Sequence, residues 1–170
     1  MTIKLYHGSF TEVKEPLVNI GRKNLDFGQG FYLTNIKEQA EIWAKIVATR
    51  KGKNIKPIVN VYDFSYLDAR NIGFRFKEFE HYDIEWLNFV VDCRKGKDVF
   101  SKYDIVIGGA LNNEINDTVE DYEKGIITAE QALGQLKYKD VNHQVCILNQ
   151  EIIEYHLNFV ESYTLEEENL

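Results

Sequence analysis

Phe27-Gly28-Gln29-Gly30-Phe31-Tyr32-Leu33-Thr34 is the stretch that decides the reading of this chain. Two glycines flank Gln29, which suits a tight turn or a close approach of backbone to another group. The apolar run that follows, Phe31 to Leu33, reads as a short strand presenting Tyr32. Thr34 or Asn35 then stands where a helix cap belongs, with Glu38 near the third helical position. Ile36, Ala40, Trp43, Ala44 and Val47 fall on one face of the expected helix, which should end around Lys51-Gly52. Trp43 lies eleven residues after Tyr32. Two aromatic faces at that spacing can enclose one flat ring, although two core aromatics would look the same. Upstream, Leu5-Tyr6-His7-Gly8-Ser9 ends the first apolar run on a histidine followed at once by a glycine.

Working outward, Thr2 to His7 reads as a strand. Residues 10–26, with Pro16, Asn19, Gly21 and Asn24, read as a loop. Pro57 precedes a strand over Ile58 to Phe64. A further strand is expected from Ala69 to Phe76, interrupted by Gly73. Residues 82–95 are helical in pattern, capped by Asp83 and closed by Lys95-Gly96. Tyr103 to Gly108 is a strand running into Gly108-Gly109. Two helical patterns over 112–138 divide at Gly125 to Thr128, and Thr128 to Gln131 spells a capping box. Gln144 to Leu148 is an apolar strand, and a last short helix or strand starts at Glu151. Strands and helices do not alternate strictly. The expected class is therefore α+β with largely antiparallel strands.

The length of 170 residues suits one domain. A net charge of −7 argues against a broad electrostatic footprint on nucleic acid or an anionic membrane, and leaves room for a local basic patch. Cys93 and Cys146 sit far apart in apolar runs and read as buried free thiols in a reducing compartment. No apolar run approaches the ~20 residues of a membrane span, and no signal peptide is legible. These features point to a cytoplasmic protein without a membrane partner. His81, Asp83 and Glu85 lack metal-ligand spacing, and Asn113 to Asp117 lacks the glycine and terminal glutamate of a calcium loop, so no metal is expected. No dinucleotide fingerprint, phosphate-loop motif or nucleophile elbow occurs.

The order His7-Gly8, Gly28-x-Gly30-Phe31-Tyr32, Trp43 and a late strand bearing Gln144 resembles the nicotinamide-binding core of ADP-ribosyltransferases of the diphtheria-toxin and poly(ADP-ribose)-polymerase type. The similarity is closest to a bacterial family, domain of unknown function 3990. Its pattern runs through Leu5 to Ser9, Asp26 to Thr34, Val59-Asn60-x-Tyr62, Tyr103 to Gly108 and Asn142-x-Gln144-x-Cys146. All five segments are present, so the resemblance covers nearly the whole chain.

That resemblance implies an ADP-ribosyltransferase-like domain over 1–165, with 166–170 a frayed tail. Two small, mostly antiparallel sheets flanked by helices would form a cleft for NAD, the co-substrate. His7, Tyr32 and Gln144 would be catalytic. His7 and Gln144 would hold the ribose, and Gly8 would bring backbone to the carboxamide. Tyr32 and Trp43 would enclose the nicotinamide, while Gly28 and Gly30 would admit the dinucleotide. Arg22 reads either as a phosphate contact or as a solvated loop charge. The late strand of the wider superfamily carries a glutamate or a substitute for it. Gln144 can make the same hydrogen bond but supplies no charge. The implied activity is mono-ADP-ribosylation of a protein or nucleic-acid acceptor, in a toxin or defence element neutralised by an antitoxin. Two alternatives stand beside it: a non-catalytic NAD-binding or interaction module, and an NAD glycohydrolase or RNA 2′-phosphotransferase-like enzyme.

Overall fold

A computed structural model describes residues 1–166. Most of the tail expected at 166–170 lies outside the described residues. The elements run β1 (Ile3–Ser9), β2 (Phe31–Thr34), α1 (Lys37–Lys51), β3 (Ile58–Phe64), α2 (Tyr66–Ile72), β4 (Phe76–Glu78), α3 (Ile84–Arg94), β5 (Ile105–Gly109), α4 (Asn113–Glu123), α5 (Ala129–Leu136), β6 (His143–Ile147), α6 (Gln150–His156) and β7 (Leu157–Thr164). The class is α+β, as composition and pattern predicted. No helix among the described residues is long and apolar enough to cross a membrane.

The strands form one seven-stranded sheet in the order β4-β5-β6-β2-β1-β3-β7. Every pairing is antiparallel except β4 with β5. The two separate sheets expected from the resemblance are thus joined, but the joint is narrow. β1 meets β3 over seven register pairs and β2 meets β6 over four, whereas β1 meets β2 only at Tyr6↔Thr34. A seam therefore opens between the two halves from His7 onward.

Period-two alternation sorts the side chains onto two faces. Leu5, Phe31, Leu33, Tyr62, Val145 and Ile147 cluster on one face with Ile152 and Ile153 of α6 and Ala69 of α2. On the other face, Val106 and Cys146 pack with Trp86, Leu87 and Val90 of α3 and with residues of α4 and α5. Beyond the seam on that same face, Ala40 and Ala44 of α1 pack with Val59. Small alanines let α1 lie close to the sheet, and Gly8 lets it lie closer. A Cβ on Gly8 would sit 2.3 Å from the Ala40 carbonyl oxygen and 2.6 Å from the Ala44 nitrogen.

Three local expectations need correction. Ala69 to Phe76 is not a strand: Tyr66–Ile72 is helical, Gly73 ends it in the left-handed region at φ 106°, and only Phe76–Glu78 is extended. The glycine is a helix terminator rather than a strand interruption. The cap position of α1 is Ile36, without a side-chain cap. Thr34 still serves that turn, because its hydroxyl accepts the Ile36 N–H at 3.1 Å. The buried stripe of α1 is Ala40, Ala44 and Ala48, and Trp43 lies off it, 43% exposed. By contrast Asp83, Thr128 and Gln131 cap as their sequence predicted.

Candidate functional site

The seam gathers most of the residues singled out in the sequence. Past Tyr6↔Thr34, β1 is stitched to β2 by a side chain. His7 Nδ1–H donates to the Tyr32 carbonyl oxygen at 2.7 Å. Its ring lies 4.4 Å from that of Phe31. Burial lowers the His7 pKa, and the backbone bond opposes this only in part. The imidazole is therefore neutral near pH 7. Its proton is fixed on Nδ1, and Nε2 is left as a hydrogen-bond acceptor.

Tyr32 points to the face that carries Cys146, its register partner on β6. Its hydroxyl donates to the Gly28 carbonyl at 2.6 Å and accepts the Phe27 N–H at 3.0 Å. Burial pushes the phenol well above its ordinary range, and neighbouring Cys146 adds to the effect. Tyr32 is thus a neutral clamp on the glycine turn. The two glycines have packing reasons of their own. Gly28 holds φ 87° with its α-carbon against the Phe100 ring, and a Cβ on Gly30 would sit 2.6 Å from Cys146 Sγ.

Gln144 follows on the same face by alternation, two residues before Cys146. It lies in register with Thr34 on one side and Gly108 on the other. Its Nε2 is buried and has no hydrogen-bond partner. It stands alone in this respect among the described side chains that are not exposed. Such a donor costs on the order of 1–3 kcal/mol unless something accepts from it. Thr34 beside it is well served, with Oγ1 within 3.1 Å of the His143 carbonyl and 3.2 Å of Gln39 Oε1.

Trp43 completes the arrangement from α1. Gln39 and Trp43 lie four residues apart and so share one edge of the helix. Gln39 touches Thr34 on β2, so this edge looks toward the seam. Arg50, two turns further along, lies 5.8 Å from the Trp43 ring. The half-exposed indole is not a core side chain. Gly8 is brought to the seam as well, but α1 fills the space over its α-carbon, and this packing accounts for the glycine on its own.

The structure thus brings Gly8, Tyr32, Trp43 and Gln144 to the seam on one face of the sheet, whereas His7, of the same parity as Leu5 and with its ring against Phe31, reaches the seam from the opposite face. Gly28 and Gly30 are one step behind, holding the turn that Tyr32 clamps. Arg22 is an exposed loop residue. Asp26 is taken by Arg94 at 2.8 Å, and Arg94 also donates to Asn116. Two contributors were not legible as site residues. Gln29 between the glycines pins the preceding loop through the Asn19 and Gly21 carbonyls, and Thr34 links β2 to β6 and α1. Both lie inside the deciding stretch, which was their only signal.

Two open concavities lie elsewhere. One, of about 540 Å³, is lined by Tyr82, Ile84, Leu133 and Lys137 among others. The second, of about 370 Å³, is lined by Gln29, Arg75, Phe100 and Asp104 among others. Neither is lined by His7, Tyr32 or Gln144. Among the described residues, no three His, Cys, Asp or Glu side chains are grouped as metal ligands.

A family model described as "Protein of unknown function (DUF3990)" matches residues 3–159. No curated protein and no solved structure matches the chain.

Proposed function

The chain belongs to the DUF3990 family, and from that premise we propose that it is a mono-ADP-ribosyltransferase with NAD as its substrate. The observation that carries this reading is the unpaired Gln144 Nε2, buried on the strand opposite Thr34 at the mouth of the seam. A ribose hydroxyl oxygen is an acceptor of the required kind. His7 supports the site from the opposite face, by tying β1 to the Tyr32 carbonyl across the seam. The half-exposed Trp43 ring offers a face for the nicotinamide, a contact worth about 0.5–1.5 kcal/mol beyond its buried area.

In the proposed reaction the bond between nicotinamide nitrogen and ribose C1′ breaks. Nicotinamide leaves neutral with the bonding pair. A nucleophile of the acceptor bonds to C1′, and its proton passes to solvent. Gln144 steadies the ribose as positive character grows at C1′, through a hydrogen bond without a counter-charge. Tyr32 acts by holding the glycine turn, since its hydroxyl is committed twice.

A non-catalytic binding or interaction module is the second reading. The internal bonds of His7 Nδ1 and Tyr32 Oη favour it. One experiment separates the two. Purified protein is incubated with NAD, alone and with bacterial lysate, and free nicotinamide is measured by chromatography. Release supports the transferase. A melting shift with NAD but no release supports the module. Neither release nor shift would overturn both.

A further inference from the structure

We propose that the C-terminal half of α1 and the segment after it form a docking surface for a single-stranded nucleic acid, the acceptor of the proposed transfer. This inference rests on the transferase reading for its purpose, but not for its observation. Between Glu41 and Asp63 the chain carries Lys45, Arg50, Lys51, Lys53 and Lys56 and no carboxylate. All five cations are exposed. None forms a salt bridge among the described residues. In a chain of net charge −7, this local excess of five stands out.

The flanking carboxylates are engaged. Glu41 accepts from Tyr163 Oη and neighbours Lys37, and Asp63 neighbours Lys4. Leu165 N–H donates to the Pro57 carbonyl, so Glu166 borders the segment, and Glu167 and Glu168 follow it in the sequence. A helix C-terminus accounts for Arg50 and Lys51, which complement its dipole. It does not account for Lys53 and Lys56 beyond the helix; Lys45, on the flank of α1 away from Trp43 and Arg50, is not part of the surface.

Aromatic side chains are interleaved with the charges. Arg50 lies over the half-exposed Trp43, and Lys51 Nζ lies 5.2 Å from the Phe10 ring. Clustered cations beside a ring are what an unpaired strand needs: phosphates meet the cations and a base meets the Phe10 ring, Trp43 being left to the nicotinamide. An anionic bilayer is the competing occupant, because Ile42 and Ile55 are also exposed. A flat surface, however, would face the protein's whole negative charge, whereas a strand can follow the strip alone. Arg50 ends the helix edge that carries Gln39 and Trp43 and meets Thr34, so the cations adjoin the seam.

The test is fluorescence anisotropy of a labelled single-stranded RNA and its DNA counterpart, read across a salt series. The triple variant Lys51→Gln/Lys53→Gln/Lys56→Gln is compared with Lys95→Gln/Lys102→Gln/Lys137→Gln, which removes the same charge elsewhere. Binding is expected to weaken at least about tenfold in the first and to stay within about twofold in the second. The slope of log K against log salt should fall by about 2, since each single-strand phosphate contact contributes roughly 0.7. Equal weakening in both variants, or no strand binding at low salt, would overturn the proposal. So would binding only to vesicles of phosphatidylserine and phosphatidylcholine. These readouts need no turnover. Strand binding without nicotinamide release sinks the transferase reading, and release without strand binding sinks this one.

Discussion

Replacing Gln144 by leucine is expected to make the free protein more stable while removing its chemistry. Gln144 Nε2 is buried and donates to nothing, while its neighbours Thr34 and Cys146 belong to a well-packed face. Leaving a buried donor unpaired costs about 1–3 kcal/mol, and exchanging the polar group for an apolar one of similar shape removes that cost. Leucine loses the amide's volume beyond the branch, which returns part of the gain. The net expectation is a stabilisation of about 1–2 kcal/mol. In a domain of this size that corresponds to a rise in melting temperature of roughly 2–8 °C. Urea denaturation should show a higher midpoint at unchanged slope. The same variant should release nicotinamide about 10²–10³-fold more slowly than wild type, the typical loss for one well-aimed polar partner. Gln144→Glu should keep or increase the rate, because a carboxylate accepts from a ribose hydroxyl and adds charge beside C1′. A lower melting temperature for Gln144→Leu than for wild type would contradict the expected stabilisation. The amide would then have a partner within the protein, and the case for a ligand at this position would go with it.

Three further outcomes follow from the seam. Tyr32→Phe should cost on the order of 1–3 kcal/mol in urea denaturation, because the Phe27 N–H and the Gly28 carbonyl both lose their partner; no measurable change would mean the hydroxyl does not clamp the turn. Gly8→Ala should destabilise by about 1–3 kcal/mol or more, since its Cβ meets backbone of α1 that cannot rotate away; wild-type stability would show that α1 sits less tightly on β1. His7 has a lowered pKa when folded, so the unfolded chain takes up its proton first as pH falls. Its contribution is therefore complete above the unfolded value of about 6.5 and is lost as pH drops from there through the folded value. Stability measured across that window should decline in wild type and stay flatter in His7→Gln, and identical profiles would exclude His7 as the titrating group.

Much of the fold was legible because it is written in local chemistry. The strand at Ile58–Phe64 follows its proline, α3 starts at Asp83, and α5 starts at the Thr128–Gln131 capping box. Each of these signals acts within a few residues. The error at Ala69 to Phe76 had the same locality. One glycine can interrupt a strand or end a helix, and only the surrounding packing of Ala69 against α6 selects between them. Apolar neighbours mark Cys93 and Cys146 as buried free thiols, and both are.

By itself the sequence determined the α+β class, the family and the residues worth watching, because periodicity, caps and the glycine-flanked motif are properties of neighbouring residues. It could not determine what those residues do at the seam. That depends on where β1 and β2 part company after a single register pair, a consequence of how far each strand is committed to its other neighbour. The parting turns His7 into a stitch between strands and Tyr32 into a clamp on its own turn. Gln144, on β6 between β2 and β5, keeps a donor unmet. Hydrogen-bond partners 25 residues apart, such as His7 and Tyr32, are set by the tertiary packing of the sheet, and no local pattern encodes whether a buried polar atom finds one.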